Sequence, residues 1–294
     1  MKRKNKIRES YSPLIIVIFI LLILYAIFLL FPLAWAIISS LKTDMDFRNN
    51  LFGLPKRWAF SNYYSAFMGF SVPVENGASF RNVPMYEQFL NSVLYAAGCA
   101  FAATFVPCWV GYLTAKFKYR FSRLLTVVVI VCITLPVVGS LPSEIRMARL
   151  FGLYDHLWGM WIMKANFLSM YLLVFQGIFR GVPVEFTEAA KMDGAGNFRI
   201  YFTIMLPLVS QTFLTVWMLN FIGFWNDYQT PLIFMPTVPT VSYGLYLFSR
   251  RTEGSFSTVP MKLTGSVLVF LPVMVLFCIF QKRLVGNITV GGLK

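Results

Sequence analysis

Few side chains in this sequence could carry out a chemical reaction. His156 is the only histidine, and it falls in a segment that we expect to be a solvated loop. The four cysteines lie in apolar runs without C-x-x-C spacing, so we expect them to serve packing. They are Cys99, Cys108, Cys132 and Cys278. The twelve acidic residues are scattered along the chain, and no G-x-x-x-x-G-K-[ST] phosphate loop occurs. The sequence therefore predicts no catalytic residue, no metal ligand and no cofactor. We do not expect an enzyme.

The residues with the most distinctive spacing form a polar stretch, PVEFTEAAKMDGAGNFRIYFTIMLPL, between two apolar runs. We call these residues, 183–208, the EAA segment. The proline at its start fits the first turn of a helix, where Glu185 and Glu188 meet the positive helix end. Gly194 permits a turn that ends this helix, and Asn197 is a candidate N-cap for a second one. The pattern predicts a helix-turn-helix whose small residues let another surface approach closely. We therefore expect the EAA segment to bind a partner protein and not to catalyse a reaction.

The elements on either side of the EAA segment are apolar enough to cross a membrane. Of the 294 residues, 57% are hydrophobic and 13% are charged, whereas in a soluble domain about a quarter of the residues are charged. Apolar runs of about 20 residues, the length that spans a hydrocarbon core, occur six times. They lie at about 14–38, 89–115, 122–143, 158–179, 207–227 and 263–281. The sequence predicts an all-α integral membrane protein with six transmembrane helices and the EAA segment between spans four and five.

The positions of Lys and Arg predict the orientation of these spans. Basic residues crowd the start of the chain, the short turn between spans two and three, the EAA segment and the end of the chain. Because short cytoplasmic loops are the basic ones, these four regions are expected in the cytoplasm. We therefore expect a cytoplasmic N-terminus over 1–13, a transmembrane domain over 14–287 and a cytoplasmic tail over 288–294.

The net charge of +14 fits the same membrane topology. It predicts contact with anionic membrane lipid, since basic segments beside a membrane are attracted to acidic headgroups. A nucleic-acid partner is not expected, because no basic patch is interleaved with exposed aromatic residues.

Polar residues in the fifth predicted span are candidates for lining a translocation pathway. Thr212, Asn220 and Asp227 recur at helical spacing and fall near one face. Trp225 and Asn226 adjoin Asp227 at the predicted outer end and are candidates with it. Polar groups are costly in lipid, so this face should meet protein or water. Two alternatives stay open: Asn220 as a hydrogen-bonding contact between helices, and Asp227 as the cap of a helix end.

The EAA segment also carries a spaced signature: E-A-A, three residues, G, nine residues and I-x-L-P. The matching residues are Glu188, Ala189, Ala190, Gly194, Ile204, Leu206 and Pro207. Together with FWNDYQTPLIF at 224–234 and QKRLVGNITVGGLK at 281–294, this signature resembles that of membrane subunits of ABC importers. The three motifs are most similar to the carbohydrate branch, and within it to the second permease of maltose-type systems. The resemblance is strongest over the second half of the chain.

This resemblance implies several contacts. The EAA segment would be a coupling helix seated in a cleft of a separate ATPase, with Asp193 among its contact residues beside the signature residues. The tail would reach the interface between two ATPase subunits. Its implied contact residues are Thr289, Gly291, Gly292 and Lys294. The external loop at about 237–260 would enter a sugar-binding protein.

The resemblance implies a permease subunit of an ATP-driven sugar importer, for a substrate that we expect to be an oligosaccharide. Its expected partners are a second homologous permease, a dimeric cytoplasmic ATPase and an extracellular or periplasmic sugar-binding protein, in a bacterial cell membrane. Two other classes of membrane protein fit the sequence less well. A secondary transporter or channel is opposed by the lack of a mid-span carboxylate and of a repeat between halves. A membrane enzyme acting on lipid-linked sugars is opposed by the scattered acidic residues.

Overall fold

The protein is described by a computed structural model that is mostly helical. The described residues are 13–76, 79–117, 120–135, 139–252 and 254–290. The chain divides into two compact units. One contains the described parts of residues 1–66 and 251–268, and the other contains the described parts of 67–250 and 269–294.

The described residues form fifteen α-helices, together with a hairpin and two short helical turns of other types. The helices are α1 (Pro13–Ser40), α2 (Asp44–Asn49), α3 (Ser61–Gly69), α4 (Met85–Lys116), α5 (Arg120–Thr134), α6 (Leu141–Leu150), α7 (Leu157–Lys164), α8 (Met170–Gly181), α9 (Glu185–Met192), α10 (Asn197–Ile200), α11 (Leu206–Leu208), α12 (Ser210–Asn226), α13 (Gln229–Phe234), α14 (Val241–Ser249) and α15 (Val259–Val290). A π-helical turn, Tyr201–Met205, joins α10 to α11, and a 3-10 turn, Ser255–Ser257, precedes α15.

The first unit begins with α1, a helix of 28 residues without a charged side chain. After it the chain turns around Lys42, which is fully buried. The Lys42 ammonium donates to the carbonyl oxygens of Asn50 at 2.7 Å and Leu51 at 3.3 Å. A buried ammonium requires such acceptors, so these bonds hold the loop after α1. In the same unit the Thr264 hydroxyl, at the start of α15, donates to the carbonyl oxygen of Ser40 at 3.0 Å.

The second unit contains a β-hairpin, so the expectation of an all-α protein is wrong at this point. Strands β1 (Ser71–Asn76) and β2 (Ser79–Pro84) pair antiparallel, with Val72 opposite Val83. Val72, Val74 and Val83 are buried with Tyr243 of α14. The alternation of buried valines with exposed residues gives the strand one apolar face, which is a local signal for a hairpin within a long loop.

Helix α4 is the centre of the second unit and packs against α7, α8 and α12. It approaches α8 closely at Gly111, where an added Cβ would lie 2.9 Å from the Cβ of Phe175. Its buried cysteines, Cys99 and Cys108, serve packing as expected. Cys132 and Cys278 are instead exposed, so their assignment to protein packing is wrong.

Three described helices are long and apolar enough to cross a membrane: α1, α4 and the Val259–Gln281 part of α15. A fourth membrane span is present if the helical segments Asn197–Leu208 and Ser210–Asn226 are counted as one span with a bend of 77° between them. The apolar run at 158–179 is divided between α7 and α8, and the run at 122–143 contains α5, which ends at Thr134. Hydropathy does not detect such breaks, because it counts only apolar residues. The predicted number of six continuous spans is therefore not confirmed.

Candidate functional site

The first half of the EAA segment is helix α9, and its end has a defined hydrogen-bond pattern. Gly194 has a φ of 77°, in the left-handed region. Its N–H donates to the Lys191 carbonyl at 3.0 Å, and the Ala195 N–H donates to the Ala190 carbonyl at 2.9 Å. These two bonds form a Schellman motif, which ends a helix with a left-handed residue that is usually glycine. The turn expected at Gly194 is therefore present.

The second half of the EAA segment is an irregular helix. Gly196, and not Asn197, occupies the N-cap position of α10, and no side chain caps it, so the expected role of Asn197 is wrong. The turn then widens: the Leu206 N–H donates to the Tyr201 carbonyl, five residues back. Pro207 has no N–H and its ring crowds the preceding turn. Because prolines and π-helical turns both bend helices, they account for the bend between this helix and α12.

Buried side chains attach the EAA segment to α4 and α8. Ala190, Ile200, Tyr201 and Met205 belong to one apolar cluster that also includes residues of both helices. The Tyr201 ring lies 4.4 Å from the Trp109 ring, measured between centroids, in an edge-to-face arrangement. At the start of the segment, the ammonium of α4's last residue, Lys116, donates to the carbonyl oxygen of Val182 at 2.6 Å. These contacts give the segment a fixed position on the helices that precede it.

The opposite side of α9 is an exposed surface with both charge signs. Glu185, Glu188, Ala189, Lys191 and Met192 line a surface depression of about 590 Å³. The Met192 side chain is 89% exposed. Glu185, Glu188 and Lys191 give this depression both charge signs.

The structure separates the signature residues into two groups. Glu188, Ala189, Asp193 and Gly194 are exposed on the α9 side. Ala190 is only 6% exposed because it packs into the chain's own apolar cluster. Ile204 and Leu206 are half-buried against that cluster, and Pro207 is exposed beside the bend. The first group can therefore meet a partner, and the second holds the segment in place.

The C-terminal candidates are only partly described. Thr289 lies in the last turn of α15, so the helix continues past the expected start of the tail. Gly291, Gly292 and Lys294 lie outside the described residues.

The three pathway candidates on α12 occupy different environments. The Asn220 amide donates to the Thr104 hydroxyl of α4 at 3.0 Å. Trp225 is 2% exposed and its indole N–H donates to the Val269 carbonyl at 3.3 Å. Asn226 is exposed, and its amide donates to the Ile222 carbonyl within the same helix.

Asp227 has two partners on two elements. Its Oδ1 accepts the Thr230 N–H at 3.0 Å, and its Oδ2 accepts the Tyr95 hydroxyl of α4 at 3.2 Å. The first bond satisfies an N–H in the first turn of α13, whose N-cap position is occupied by Tyr228, and the second ties the end of α12 to α4. The first contact agrees with the capping alternative for Asp227, as the Thr104 contact agrees with the helix-contact alternative for Asn220.

The hydrogen bond between Asn220 and Thr104 can be tested by a double-mutant cycle. Asn220→Ala, Thr104→Val and the double variant are expected to show a coupling free energy of about 0.6 kcal/mol, the average for such bonds between membrane helices. Equilibrium unfolding in detergent measures it. A coupling of zero, together with a changed KM for transport in Asn220→Ala alone, would instead assign Asn220 to the pathway.

Three further residues, which no sequence motif marks, join elements in this region. Tyr95 and Thr104 are the partners of Asp227 and Asn220, and both are polar residues inside an apolar run, which was the available signal. Asp155 has a positive φ of 63°, and its carboxylate accepts both the N–H and the hydroxyl of Thr237, at 3.0 and 2.7 Å. It thereby ties the α6–α7 connection to the α13–α14 connection.

Among the described residues, no group of three or more His, Cys, Asp or Glu side chains could hold a metal ion. Glu188 and Lys191 lie on the exposed side of α9 and are not arranged as an acid–base pair around a buried cavity.

Several characterised proteins are similar to this chain over nearly their whole length. A diacetylchitobiose uptake system permease protein of Streptomyces coelicolor is 27% identical over 276 residues, which are 92% of this chain and 86% of that protein. A galactooligosaccharides transport system permease protein of Bacillus subtilis is 25% identical over 299 residues, which are 100% of this chain and 98% of that protein.

The fold is also similar to a solved one. A chain of a bacterial ABC transporter involved in the import of the acidic polysaccharide alginate superposes with a TM-score of 0.75 and 22% identity. The match covers 92% of this chain and 98% of that one. At this level of identity the likeness concerns the fold.

A family assignment follows from the region that contains the EAA segment. Residues 108–289 match the family described as "Binding-protein-dependent transport system inner membrane component". The match runs from the second half of α4 to the last turn of α15 and is longer than half of the chain. This protein therefore belongs to the family of inner membrane components of binding-protein-dependent transport systems.

Proposed function

We propose that this chain is one of two permease subunits of an ATP-driven importer for an oligosaccharide. The observation that carries the proposal is the EAA segment, fixed to α4 and α8 on one side and exposed on the other, in a chain that belongs to a transport family. Among similar proteins, the names state diacetylchitobiose, arabinooligosaccharides, galactooligosaccharides, starch degradation products, melibiose/raffinose/stachyose, trehalose and sulfoquinovosyl glycerol as substrates. Most of these are oligosaccharides. The family match favours this function over a secondary transporter, a channel or a membrane enzyme.

The exposed face of α9 is proposed to dock on a separate ATPase. Glu188 would approach basic groups of that partner, and Ala189 would allow close contact because its side chain is a single methyl group. Asp193 and Gly194 would form the edge of the contact at the turn. Movement of the ATPase would then be passed through Ala190 and Tyr201 to α4 and α8, since these residues are packed in one cluster.

The remaining expectations belong to the same proposal. The chain would cross the bacterial membrane six times with both termini in the cytoplasm, and the breaks within its shorter helices would lie inside the protein assembly. The tail residues Thr289, Gly291, Gly292 and Lys294 would contact the ATPase dimer. Asn220, Trp225 and Asn226 of α12, with Asp227 directly after it, would shape the wall of the pathway, chiefly by holding α12 against its neighbours.

The proposed mechanism is alternating access. This chain and a homologous permease would enclose a lined cavity whose opening alternates between the two sides of the membrane. Docking of a loaded sugar-binding protein, together with closure of the ATPase dimer on ATP, would bring the two EAA segments together and open the cavity outward. Hydrolysis of ATP would return the assembly to its resting state.

The proposal is tested by reconstitution. The chain, its partner permease, the ATPase and the sugar-binding protein are placed in liposomes together, and then with each one left out. Sugar accumulation is expected only in the complete assembly with ATP. Thermal unfolding of the binding protein with diacetylchitobiose, arabino- or galactooligosaccharides identifies the sugar to use. Uphill movement of the sugar by this chain alone would refute the proposal.

A further inference from the structure

A polar depression lies in the first unit, in the chain that follows α1. Its volume is about 250 Å³, and its lining residues are Thr43, Met45, Asp46, Asn49, Lys56 and Arg57. A water molecule has a share of about 30 Å³ in the liquid, so the depression has the volume of about eight waters. This is room for one small polar molecule, or for one ring of a longer one.

Hydrogen bonds within the chain hold the walls of this depression. The Asp46 Oδ2 accepts the N–H of Lys56 at 2.8 Å, which joins α2 to a residue ten positions later. The Asp46 N–H donates to the Thr43 hydroxyl oxygen at 3.3 Å. Between α2 and Lys56, the Asn50 side chain accepts the Gly53 N–H at 2.8 Å. Binding of a small molecule would therefore not have to order this loop, which lowers its entropic cost.

Asp46 is the lining residue with an unsatisfied polar atom. The residue is 9% exposed, and its second carboxylate oxygen, Oδ1, is buried without a hydrogen-bond partner among the described residues. A buried acceptor without a donor is costly, more so when it is charged. The ion pair described on α2 joins Arg48 to Asp44 at 3.0 Å and does not include Asp46. Because Asp46 lines the depression, a hydrogen-bond donor bound there would lie beside this carboxylate.

The other lining side chains decide which class of molecule fits. A metal cation would be attracted by Asp46 but repelled by Lys56 and Arg57. An inorganic phosphate would be attracted by these two cations but repelled by Asp46. A sugar ring carries no charge, and each of its hydroxyl groups both donates and accepts. It can donate to Asp46 while it accepts from Lys56, Arg57 and the Asn49 amide.

We propose that this depression is an entry subsite for one ring of the transported sugar. The inference rests on the proposed function, which makes a sugar the substrate, and it names a place where this chain contacts that sugar. The predicted topology puts the chain after α1 on the outer side of the membrane, where the sugar arrives. Since only one ring is held, we expect weak binding that is released quickly.

The binding is tested by a saturation-transfer NMR titration of the purified full chain. The detergent must lack a sugar headgroup, and the probes are diacetylchitobiose and galactotriose. The wild type is expected to show transfer to one terminal ring. Arg57→Gln should weaken binding about ten-fold, because it removes a charged hydrogen-bond donor. Arg48→Gln is the matched control: it removes an exposed cation of α2 that does not line the depression, and binding should stay unchanged.

Asp46→Asn tests the carboxylate itself. Asn has nearly the same shape, and its amide oxygen can keep the bond to the Lys56 N–H while its NH₂ group replaces Oδ1. Binding about ten-fold weaker than that of the wild type is expected. If this variant does not fold, the exposed Arg57 position carries the test alone. No binding of either sugar by the wild type, or equal binding by the wild type and Arg57→Gln, would overturn the proposal.

A zwitterionic lipid headgroup is the competing occupant, because its ammonium would donate to Asp46 and its phosphate would accept from Arg57. Phosphoethanolamine is therefore added to the sugar-bound chain. Displacement of the sugar by less phosphoethanolamine than free sugar would assign the depression to a headgroup and overturn the proposal. Persistence of the sugar signal supports it.

The outcomes also separate this subsite from the proposed function. ATP-driven uptake by the complete assembly, with no sugar binding to this chain, would refute the subsite alone. Sugar binding at Asp46 and Arg57 without ATP-driven uptake by the complete assembly would refute the proposed function and leave a sugar site.

Discussion

Gly194→Asp is expected to abolish sugar uptake and the stimulation of ATP hydrolysis in the assembled transporter. An added Cβ at this position meets nothing within 4 Å, so the fold has room for the side chain. The positive φ of Gly194 costs a residue with a Cβ about 1 kcal/mol, and Asp is among the residues that tolerate it best. The large loss is expected from the carboxylate itself, which would stand on the exposed docking face beside Glu188.

Gly194→Asn is the matched control, because Asn has nearly the same shape, tolerates the same backbone conformation and carries no charge. It is expected to retain part of the uptake. Both variants should reach the membrane at the wild-type level, as measured by immunoblotting. Normal uptake and normal stimulated hydrolysis in Gly194→Asp, at unchanged membrane levels, would contradict the docking role of this turn.

The second large effect is expected from a comparison of glutamate substitutions at the neighbouring positions 189 and 190. Ala190→Glu should prevent stable folding, because Ala190 is buried against the cluster of α4 and α8. Overpacking by itself costs about 1–3 kcal/mol, and an unpaired buried carboxylate adds to that cost. A much reduced amount of protein in the membrane and a lower Tm in detergent are the expected measurements.

Ala189→Glu should give a normally folded protein that cannot couple to the ATPase. Ala189 is exposed and lines the depression on α9, so a longer side chain disturbs no internal contact. The expected result is a wild-type Tm and membrane level together with lost stimulation of ATP hydrolysis. If Ala189→Glu lowered the Tm as much as Ala190→Glu, the division of the segment into an exposed and a buried side would be wrong.

Local rules were sufficient to predict the turn of the EAA segment and the helical membrane class. A left-handed residue after a helix favours glycine whatever surrounds it, so Gly194 could be assigned from its neighbours in the chain alone. Apolar runs likewise indicate membrane helices by length and composition. Apolar composition alone does not mark where a helix stops, so it did not predict the break at residues 165–169 or the end of α5 at Thr134. It also did not predict the hairpin that pairs Val72 with Val83.

The contacts of the α12 candidates depend on residues far away in the chain. Spacing could place Asn220 and Asp227 near one face of a helix, but Thr104 and Tyr95 lie 116 and 132 residues earlier. Only the packing of α12 against α4 brings these groups within hydrogen-bond distance.

The sequence by itself determined the helical class, the family signature and the position of the docking turn, because each depends on residue types within a short stretch. The tertiary structure decided that Ala189 faces outward while Ala190 is buried, and that the Phe198 ring packs beside the Trp109 ring. The physical reason is that burial and contact are properties of packed elements. A residue pair with identical local chemistry, such as Ala189 and Ala190, acquires two roles only when the helix is placed against α4 and α8.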